Sequence, residues 1–321
     1  MSMKKYAALA AVAALTLAGC AAPAAENAGG ASSDIKVCVY THGDGGTFWS
    51  VAQKGAEQAG ADLGITVDYQ GSTNDAAKQA STIEAGVAAG CDAIAASAPD
   101  PEAIKSAMLA AHDAGLPLVT MNSGSAVFKD LGAFTHVGQD EIVAGREAGL
   151  KFNAMGVKHV LCPIQEAANV GLEQRCQGLA ETFEGKAENF NLDGGLQDLT
   201  AAAAKLQAAL EADKSIDAIF ALNADIAAKA ALPAAEAAGV SLKIGTVDMS
   251  PEALDAIEAG SMEFAIDQQQ YAQGYMSVVL LYLNLTNKHE LGGGLPVYTG
   301  PGFVTKDNVT AVKELVAAGS R

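Results

Sequence analysis

Lys243–Pro251 reads KIGTVDMSP, a buried strand that stops at a carboxylate and passes directly into a helix. Ile244–Val247 forms the strand pattern, Ser250 is a good N-cap, and Pro251 fits the first helical turn. Asp248 therefore stands at the carboxyl end of a parallel strand, where open α/β sheets bind their ligands. A carboxylate at this point can accept hydrogen bonds from neighbouring hydroxyl groups, although capping the next helix would explain it equally well.

Alternating strand and helix patterns begin at residue 35 and continue almost to the end of the chain. Ile35–Tyr40 is an apolar strand pattern, and the helical pattern after the next loop runs from about Phe48 to Leu63. Because helices of this length connect strands through right-handed crossovers, the strands are predicted to pair in parallel. A second series starts after Gly138, which predicts two doubly wound α/β domains. The long helical pattern after Asp267 follows the completed second series, so we expect it to return to the first domain.

Length and charge limit the classes of protein to consider. The 321 residues suit two medium-sized domains better than one simple core. The net charge is −17 and the isoelectric point is near 4.6, with no basic patch. This balance argues against a nucleic-acid partner and suits a soluble protein with a neutral ligand.

The first 33 residues predict export and a lipid anchor. Lys4 and Lys5 precede an apolar run, residues 6–17, that is too short to span a membrane. The run ends in Leu-Ala-Gly-Cys20, which resembles the bacterial lipobox, so residues 1–19 are predicted to be a signal peptide and Cys20 to be lipidated. A plain secretory signal with a chance cysteine is the alternative. Residues 20–33 are predicted to be a flexible tether that holds the protein in the periplasm or on the outer face of the cell membrane.

The other four cysteines fall in predicted regular structure. Cys38 and Cys91 fall in strand patterns, where they are predicted to be small buried side chains. Cys162 ends a predicted strand and Cys176 lies in the helix that follows, and an extracytoplasmic location permits a disulfide between them. No group of His and Cys residues has metal-binding spacing, so no metal site is predicted.

Polar side chains stand directly after most of the predicted strands. Each one alone is explained by a turn or a helix cap, where Asn and Asp are common. Together they would line the edge where the carboxyl ends of parallel strands meet, and planar polar groups beside an aromatic wall suit a hydroxyl-rich ligand. The strand-end set comprises His42, Asp44, Asn122, Ser123, Gln139, Asp140, Asn223, Asp225, Asp248, Asp267, Gln268 and Gln269, joined by Arg175 on a helix and by Phe48 and Trp49. The plainer interpretations are that the aromatic pair packs in the core and that Arg175 forms an ion pair at the surface.

Catalytic and nucleotide-binding motifs are absent from the sequence. The loop Gly43–Gly46 precedes a helix, which would suit a phosphate, but it lacks both G-x-G-x-x-G and GK[ST]. Neither G-x-S-x-G nor H-E-x-x-H occurs, and the five histidines show no metal spacing. The sequence therefore predicts a binding protein without a cofactor rather than an enzyme.

From about Ile35 to Val309 the chain resembles the type I periplasmic sugar-binding proteins, in the ribose-binding-like branch that serves ABC importers. The stretches that carry the resemblance are TFWSVAQKGAEQAG from Thr47, VTMNS from Val119, LEQRCQG from Leu172, FALNAD from Phe220, IGTVDMSPEA from Ile244 and FAIDQQQYAQGY from Phe264. The resemblance implies an α/β fold of two doubly wound, Rossmann-like lobes with parallel sheets, joined by a hinge that the chain crosses three times. Residues 34–138 plus 269–299 would form the N-terminal lobe, and residues 139–268 plus 300–321 the C-terminal lobe.

The resemblance also implies the ligand-binding residues. The stacking aromatics of the family fall on Phe48 and Trp49, and its polar ligand contacts fall on Arg175, Asn223, Asp248 and Gln268. Asn122, at the end of the fourth strand, completes the predicted set.

Three positions depart from the ribose binders. Asn122-Ser123 stands where they have Asp-Arg, Gly46-Thr47 where they have an Asn before the aromatic pair, and Val247 where they have a Phe. One charge pair and one stacking face are therefore lost. We expect another pentose, a hexose, a polyol or a furanosyl signalling molecule in place of ribose.

These inferences together predict an extracytoplasmic substrate-binding lipoprotein that captures a sugar or polyol between two lobes and presents it to the permease of an ABC importer. It would be a monomer held at the membrane by the lipid on Cys20. The alternative is a sensing lipoprotein that passes ligand occupancy to a membrane receptor and uses the same pocket. DNA binding is not expected, because a signal sequence stands where the repressor relatives carry a helix-turn-helix.

Overall fold

The computed structural model describes residues 34–321. The predicted signal peptide, Cys20 and the tether lie outside the described residues. Within residues 34–321, none of the helices is both long enough and apolar enough to cross a membrane.

The described chain forms two six-stranded sheets with equivalent strand orders. The strands are β1 (Lys36–Thr41), β2 (Thr66–Gly71), β3 (Ala93–Ser97), β4 (Leu118–Met121), β5 (Thr135–Gly138), β6 (His159–Ile164), β7 (Lys186–Asn191), β8 (Ala218–Ala221), β9 (Lys243–Val247), β10 (Phe264–Asp267), β11 (Val297–Tyr298) and β12 (Gly302–Thr305). The first sheet has the order β11-β5-β4-β3-β1-β2 and the second β12-β10-β9-β8-β6-β7, so each strand of one sheet has an equivalent in the other. The expected doubly wound α/β fold is confirmed, with one correction: β12 pairs antiparallel to β10.

Helices connect the strands and cover both faces of each sheet. They are α1 (Gly46–Leu63), α2 (Ala76–Ala88), α3 (Pro101–Asp113), α4 (Glu141–Ala154), α5 (Val170–Thr182), α6 (Leu199–Ala212), α7 (Ala224–Ile226), α8 (Leu232–Ala237), α9 (Pro251–Ala259), α10 (Gln270–Asn287) and α11 (Val309–Ala317). Side-chain caps start several of them; the Ser250 hydroxyl, for example, accepts a hydrogen bond from the Ala253 N–H at 3.1 Å. The helix predicted from the sequence after Asp248 therefore begins where Ser250 and Pro251 indicated.

Each sheet separates two apolar clusters, one on each face. In β1, Val37 and Val39 pack into one cluster while Cys38 and Tyr40 pack into the other. This alternation follows from the period of two along a strand. Because both faces are buried, the central strands carry almost no exposed side chains, and polar groups are left for the strand ends.

The chain crosses between the two sheets three times. We call the first sheet and its helices, α10 among them, the first lobe, and the second sheet with its helices, α11 among them, the second lobe. The crossings lie between β5 and α4, between β10 and α10, and between β11 and β12, at residues 139–140, 268–269 and 299–301. That the two lobes move as separate domains stays a prediction.

Two local features depart from the simple alternation of strands and helices. The Gly/Pro-rich stretch 292–304 holds β11 and most of β12, short edge strands whose pairing is set by neighbours distant in sequence. A π-helical segment, Ala227–Ala231, lies directly before α8, of which Pro233 is the second residue. Because proline lacks an N–H and its ring crowds the preceding turn, the helix widens ahead of it.

Two disulfides lie within the lobes, one in each. Cys162 in β6 is bonded to Cys176 in α5, with their Cα atoms 6.0 Å apart. Cys38 in β1 is bonded to Cys91, which lies just before β3, with a Cα distance of 5.9 Å. Both side chains are buried as predicted, but the bridge between them was not predicted, and Cys91 lies outside the strand expected to contain it. Adjacent placement of β1 and β3 brings them together, which sequence spacing alone does not reveal.

Removing the Cys162–Cys176 bridge is expected to lower the free energy of unfolding by about 3 kcal/mol. The bridge joins residues 14 apart in sequence and so restricts the unfolded chain. The double variant Cys162→Ala/Cys176→Ala should show this loss in urea denaturation. The matched variant Cys38→Ala/Cys91→Ala, whose bridge spans 53 residues, should lose about 4 kcal/mol. Unchanged urea midpoints in both variants would contradict the expectation.

Candidate functional site

The two lobes present equivalent polar residues at the ends of equivalent strands. Asn122 follows β4 with φ 61°, and Asp248 follows β9 with φ 71°. The Asn122 N–H donates to the Val137 carbonyl at 2.9 Å, and the Asp248 N–H donates to the Ile266 carbonyl at 2.8 Å. Asn and Asp tolerate this left-handed backbone better than other non-glycine residues. The same local geometry thus turns both side chains toward the space between the lobes, where they line a single cavity.

Asp248 is a buried carboxylate held by two amides. Its Oδ1 accepts a hydrogen bond from Gln268 Nε2 at 2.5 Å, and its Oδ2 accepts one from Asn223 Nδ2 at 3.5 Å. Burial raises the pKa of Asp248 to about 7, although the Arg175 charge and the Gln268 hydrogen bond act to lower it. Asp248 therefore changes charge near neutral pH.

Arg175 reaches the cavity because α4 and α5 pack unusually closely. A Cβ atom on Gly145 of α4 would lie 2.1 Å from the Arg175 carbonyl oxygen, and one on Gly178 of α5 would lie 2.1 Å from that of Ile142. Only glycine at these two positions lets the backbones approach so far. The contact brings the Arg175 side chain next to Glu141, the first residue of α4.

Four of the five N–H donors of the Arg175 guanidinium are engaged by groups of the protein itself. Nε and Nη2 donate to Glu141 at 2.5 and 3.0 Å, Nη1 donates to the Leu222 carbonyl at 3.2 Å, and Nη2 also donates to Gln268 Oε1 at 3.1 Å. Burial alone would lower the pKa of Arg175, but the Glu141 charge and hydrogen bonds outweigh it, so that the pKa is raised above its usual value. Arg175 is a permanently charged donor whose position is fixed by a carboxylate.

Gln268 links the two charged groups at a crossing between the lobes. Its side-chain oxygen faces Arg175 and its side-chain nitrogen donates to Asp248. Its main-chain carbonyl accepts from Gln273 Nε2 at 3.0 Å and from the Thr299 hydroxyl at 2.8 Å. Gln268 is therefore tied both to the second-lobe polar groups and to the hinge segments.

An aromatic wall from the first lobe faces these polar groups. Phe48 and Trp49 lie in the first turn of α1, with ring centroids 4.8 Å apart and an edge-on arrangement. Trp49 also packs edge-on against His42, whose Nδ1 lies 2.8 Å from the Ser97 hydroxyl. Burial lowers the pKa of His42, which keeps the ring neutral at pH 7. Phe48 is almost completely buried and Trp49 is partly buried.

All seven predicted ligand-binding residues line one cavity of about 280 Å³ between the lobes. Phe48, Trp49 and Asn122 come from the first lobe, Arg175, Asn223 and Asp248 from the second, and Gln268 from a crossing. The volume is near the lower end of the range for small-molecule sites. Contact with a ligand stays a prediction for each of the seven.

The lobes also touch each other directly beside this cavity. The Val170 N–H of the second lobe donates to the Pro99 carbonyl of the first at 3.1 Å. His42 Nε2 lies 3.8 Å from a Glu166 carboxylate oxygen across the same gap. These contacts join the two lobes directly beside the cavity.

Several cavity residues were missed from the sequence. Glu141 was not predicted to belong to the site, because a glutamate in the first turn of a helix is ordinarily explained by its favourable interaction with the helix dipole. Gln165, Glu166 and Asn169 follow β6, which runs two residues beyond Cys162, the predicted end of this strand. The signal that could have found them is the polar run QEAAN directly after the apolar strand VLCPI.

A separate polar group lies at the amino end of β6, outside the cavity. His159, Glu188 and Asp213 place one ligand atom each within 4.8 Å of one another, and among residues 34–321 this is the sole such group. Lys186 Nζ contacts the Glu188 carboxylate at 2.5 Å and lies 3.9 Å from Asp213. The single ammonium charge offsets one of the two carboxylate charges, so the geometry indicates an ion-pair network.

The chain is similar in sequence to known proteins. A family model described as a periplasmic binding protein domain matches residues 35–289. The chain is also similar to the ribose import binding protein RbsB of Haemophilus influenzae, at 26% identity over 238 residues that cover 72% of this chain and 79% of that protein.

Two solved structures are similar along most of the chain. A carbohydrate transporter from Acidothermus cellulolyticus in complex with myo-inositol has a TM-score of 0.86 and 39% identity, covering 90% of this chain and 100% of that one. An ABC transporter solute-binding protein from Burkholderia graminis in complex with D-arabinose has a TM-score of 0.78 and 22% identity, covering 88% of this chain and 99% of that one. At the lower identity the likeness shows the fold alone.

Proposed function

The chain belongs to the periplasmic binding protein domain family, and we propose that it is the sugar- or polyol-binding component of an ABC importer. In this proposal the protein works outside the cytoplasmic membrane, is held there by a lipid on Cys20, and delivers its ligand to a membrane permease. It performs no covalent chemistry.

The observation that carries this proposal is the composition of the cavity between the lobes. Asp248 offers acceptor oxygens, Arg175 offers donors, and the amides of Asn122, Asn223 and Gln268 offer both. Hydroxyl groups donate and accept, so a ring with several hydroxyls can satisfy all of these groups at once. The edge of the aromatic wall supplies an apolar surface for the C–H face of such a ring.

Within this class we propose a cyclic polyol of the inositol type as the leading candidate. The solved structure with 39% identity is a complex with myo-inositol. The departure from the ribose binders at Asn122-Ser123 also favours a polyol over ribose, because the charged pair that those proteins use is replaced by two neutral side chains. The carboxylate of Asp248 and the guanidinium of Arg175 remain, and both can form hydrogen bonds with neighbouring hydroxyl groups of the ligand.

Ligand capture is proposed to work by closure of the two lobes. A ligand in the cavity contacts residues of both lobes and therefore stabilises the closed arrangement relative to an open one. The three crossings at residues 139–140, 268–269 and 299–301 would absorb the change in backbone angles. Closure then supplies the permease with a signal that the site is occupied.

Binding of the correct ligand is expected to raise the free energy of unfolding by about 2.7 kcal/mol at a hundredfold excess over its dissociation constant. The purified protein would be screened by thermal shift against myo-inositol, other inositols, pentoses, hexoses and linear polyols. A response from one compound or a small related group, confirmed by calorimetry, would support the proposal. An unchanged melting temperature with every compound at millimolar concentration would contradict it.

A further inference from the structure

Asp267, the last residue of β10, stands where two of the three crossings between the lobes meet. Its main chain pairs with Gly302 of β12, and a Cβ atom on Gly300 would lie 2.9 Å from its carbonyl oxygen. The side chain of Asp267 is fully buried. A carboxylate in such a place is destabilising unless it is paired and hydrogen-bonded, so its partners determine how the crossing is held.

The carboxylate of Asp267 closes a turn around Gln268. Its Oδ1 accepts a hydrogen bond from the Gln269 N–H at 2.8 Å. Gln269 has a φ of 59°, a left-handed backbone that is uncommon for a residue other than glycine, and α10 begins directly after it. This turn therefore sets the direction in which the Gln268 side chain leaves the backbone, toward Arg175 and Asp248 in the cavity.

Arg321 supplies the positive charge that compensates this buried carboxylate. Its Nε donates to Oδ2 of Asp267 at 2.7 Å, the length of a charge-assisted hydrogen bond. Within residues 34–321 this is the only ion pair that Asp267 makes. Without Arg321 the charge of Asp267 would be both buried and uncompensated, one residue away from Gln268.

Contacts with both lobes fix the segment that carries Arg321. The residue lies four positions after the end of α11, which belongs to the second lobe. Gly319 turns the chain with a φ of 63°, and the Ala318 carbonyl accepts a hydrogen bond from Lys54 Nζ on α1 of the first lobe. Residues 318–321 therefore contact the first lobe before Arg321 reaches the end of β10.

The charge of Asp267 also acts on the carboxylate that faces the ligand cavity. Burial is the main cause of the raised pKa of Asp248, and the negative charges of Glu141 and Asp267 add to it. Arg321 offsets the second of these charges. An uncompensated Asp267 would oppose the ionised form of Asp248, which is the form that accepts best from a ligand hydroxyl.

We propose that Arg321 is a positioning residue for the ligand site: by compensating the charge of Asp267 it holds the turn that directs Gln268 into the cavity. This inference rests on the proposed function, because Gln268 is taken to contact the ligand. Arg321 is not among the residues that line the cavity, so its effect on binding is transmitted through Asp267 and Gln268.

The variant Arg321→Met tests this role because it removes the charge and keeps an unbranched side chain. Titration calorimetry on fully folded protein would measure the affinity for myo-inositol, or for the compound of the screen that binds in its place. We expect this affinity to fall about tenfold, which corresponds to the loss of roughly one hydrogen bond to the ligand.

Amide hydrogen exchange of the ligand-free protein provides a second measurement that needs no ligand. In Arg321→Met, peptides containing residues 264–275 should exchange about tenfold faster, and this change should exceed the change in peptides from β8. A general loss of stability would accelerate both groups of peptides alike, whereas an opened turn acts on the first group.

Matched variants separate the charge from the side chain. Arg321→Lys keeps the charge and should bind within about threefold of the unmodified protein. Asp267→Asn combined with Arg321→Met removes both charges, and the introduced asparagine keeps an oxygen for the Gln269 N–H, so most of the affinity should return. Lys313→Met removes a positive charge that pairs with exposed carboxylates of α9, and it should leave affinity and exchange unchanged.

The outcomes distinguish this inference from the proposed function. If Arg321→Met binds as tightly as the unmodified protein, the positioning role is refuted while the proposed function stands. The role is also refuted if the double variant binds no better than Arg321→Met, or if Lys313→Met weakens binding to the same extent. If the unmodified protein binds no compound of the screen, the proposed function fails, and the exchange of residues 264–275 alone decides whether Arg321 holds the turn.

Discussion

Replacing Arg175 with methionine is expected to lower the free energy of unfolding by about 3–5 kcal/mol and to weaken ligand binding by about 100-fold. The substitution leaves the Glu141 carboxylate, only 2% exposed, without its positive partner. An uncompensated buried charge accounts for the loss of stability. The loss of affinity has a separate cause, since the donors of the guanidinium that face the cavity are removed.

A double variant distinguishes the two effects. Arg175→Met combined with Glu141→Gln removes both charges, and the introduced glutamine retains an oxygen that can accept the Gln139 Nε2 hydrogen bond now made to Glu141 at 2.7 Å. Most of the lost stability should return in urea denaturation, whereas ligand binding by calorimetry should remain weak. A single Arg175→Met variant that unfolds at the same urea concentration as the unmodified protein would contradict the role given to the Arg175–Glu141 pair.

The second large effect concerns the pH dependence of Asp248. Its pKa is raised from 3.8 to about 7 in the folded protein, so the folded state holds a proton that the unfolded state releases between these values. The contribution of the Asp248 proton to the free energy of unfolding is therefore fully present below pH 3.8 and is lost as the pH rises through about 7. A shift of about three pKa units corresponds to roughly 4 kcal/mol of stability lost from this group over that range.

Asp248→Asn is expected to abolish this pH-dependent loss of stability in the ligand-free protein. Asparagine accepts the left-handed backbone at this position, so the variant tests the charge without adding backbone strain. Urea denaturation of both proteins from about pH 4 to about pH 8 should give a difference in unfolding free energy that shifts in favour of the variant as the pH rises. Asp198→Asn, at the cap of α6 outside the cavity, serves as the control and should follow the unmodified protein. Parallel pH profiles for all three proteins would contradict the assignment.

Ligand affinity should show the opposite dependence on pH. A hydroxyl donates better to an ionised carboxylate than to a protonated one, so the affinity should rise as the pH increases through about 7, with release of a proton on binding. Calorimetry in two buffers of different ionisation enthalpy would count that proton. The Asp248→Asn variant should bind more weakly and release none.

The sequence predicted the fold most accurately where local signals agree. The end of β9 at Val247, the start of α9 at Pro251 and the end of α1 at Leu63 are those expected from apolar runs, caps and periodicity. The edge strands β11 and β12 were missed because their pairing depends on partners distant in sequence rather than on their own pattern. The Cys38–Cys91 bridge was missed for a related reason, since only the neighbouring positions of β1 and β3 bring the two residues within reach.

The candidate site was predictable to the extent that strand ends define it. Asn122, Asn223 and Asp248 each follow a strand, and parallel pairing alone places such residues along one edge. Glu141 acts through Arg175 and depends on how closely α4 packs against α5, a tertiary property that no residue spacing reports.

The disulfides also determine which thiol groups of the folded protein are free to react. All four cysteines within residues 34–321 are bridged inside one lobe or the other. Asp44 and Gln197 are exposed and lie on opposite sides of the cavity mouth. If both were replaced by cysteine, a maleimide dye would react with these two thiols alone in this part of the chain. A dye on each side would report the separation of the lobes as energy transfer, and the protein could be developed into an optical sensor for its own ligand.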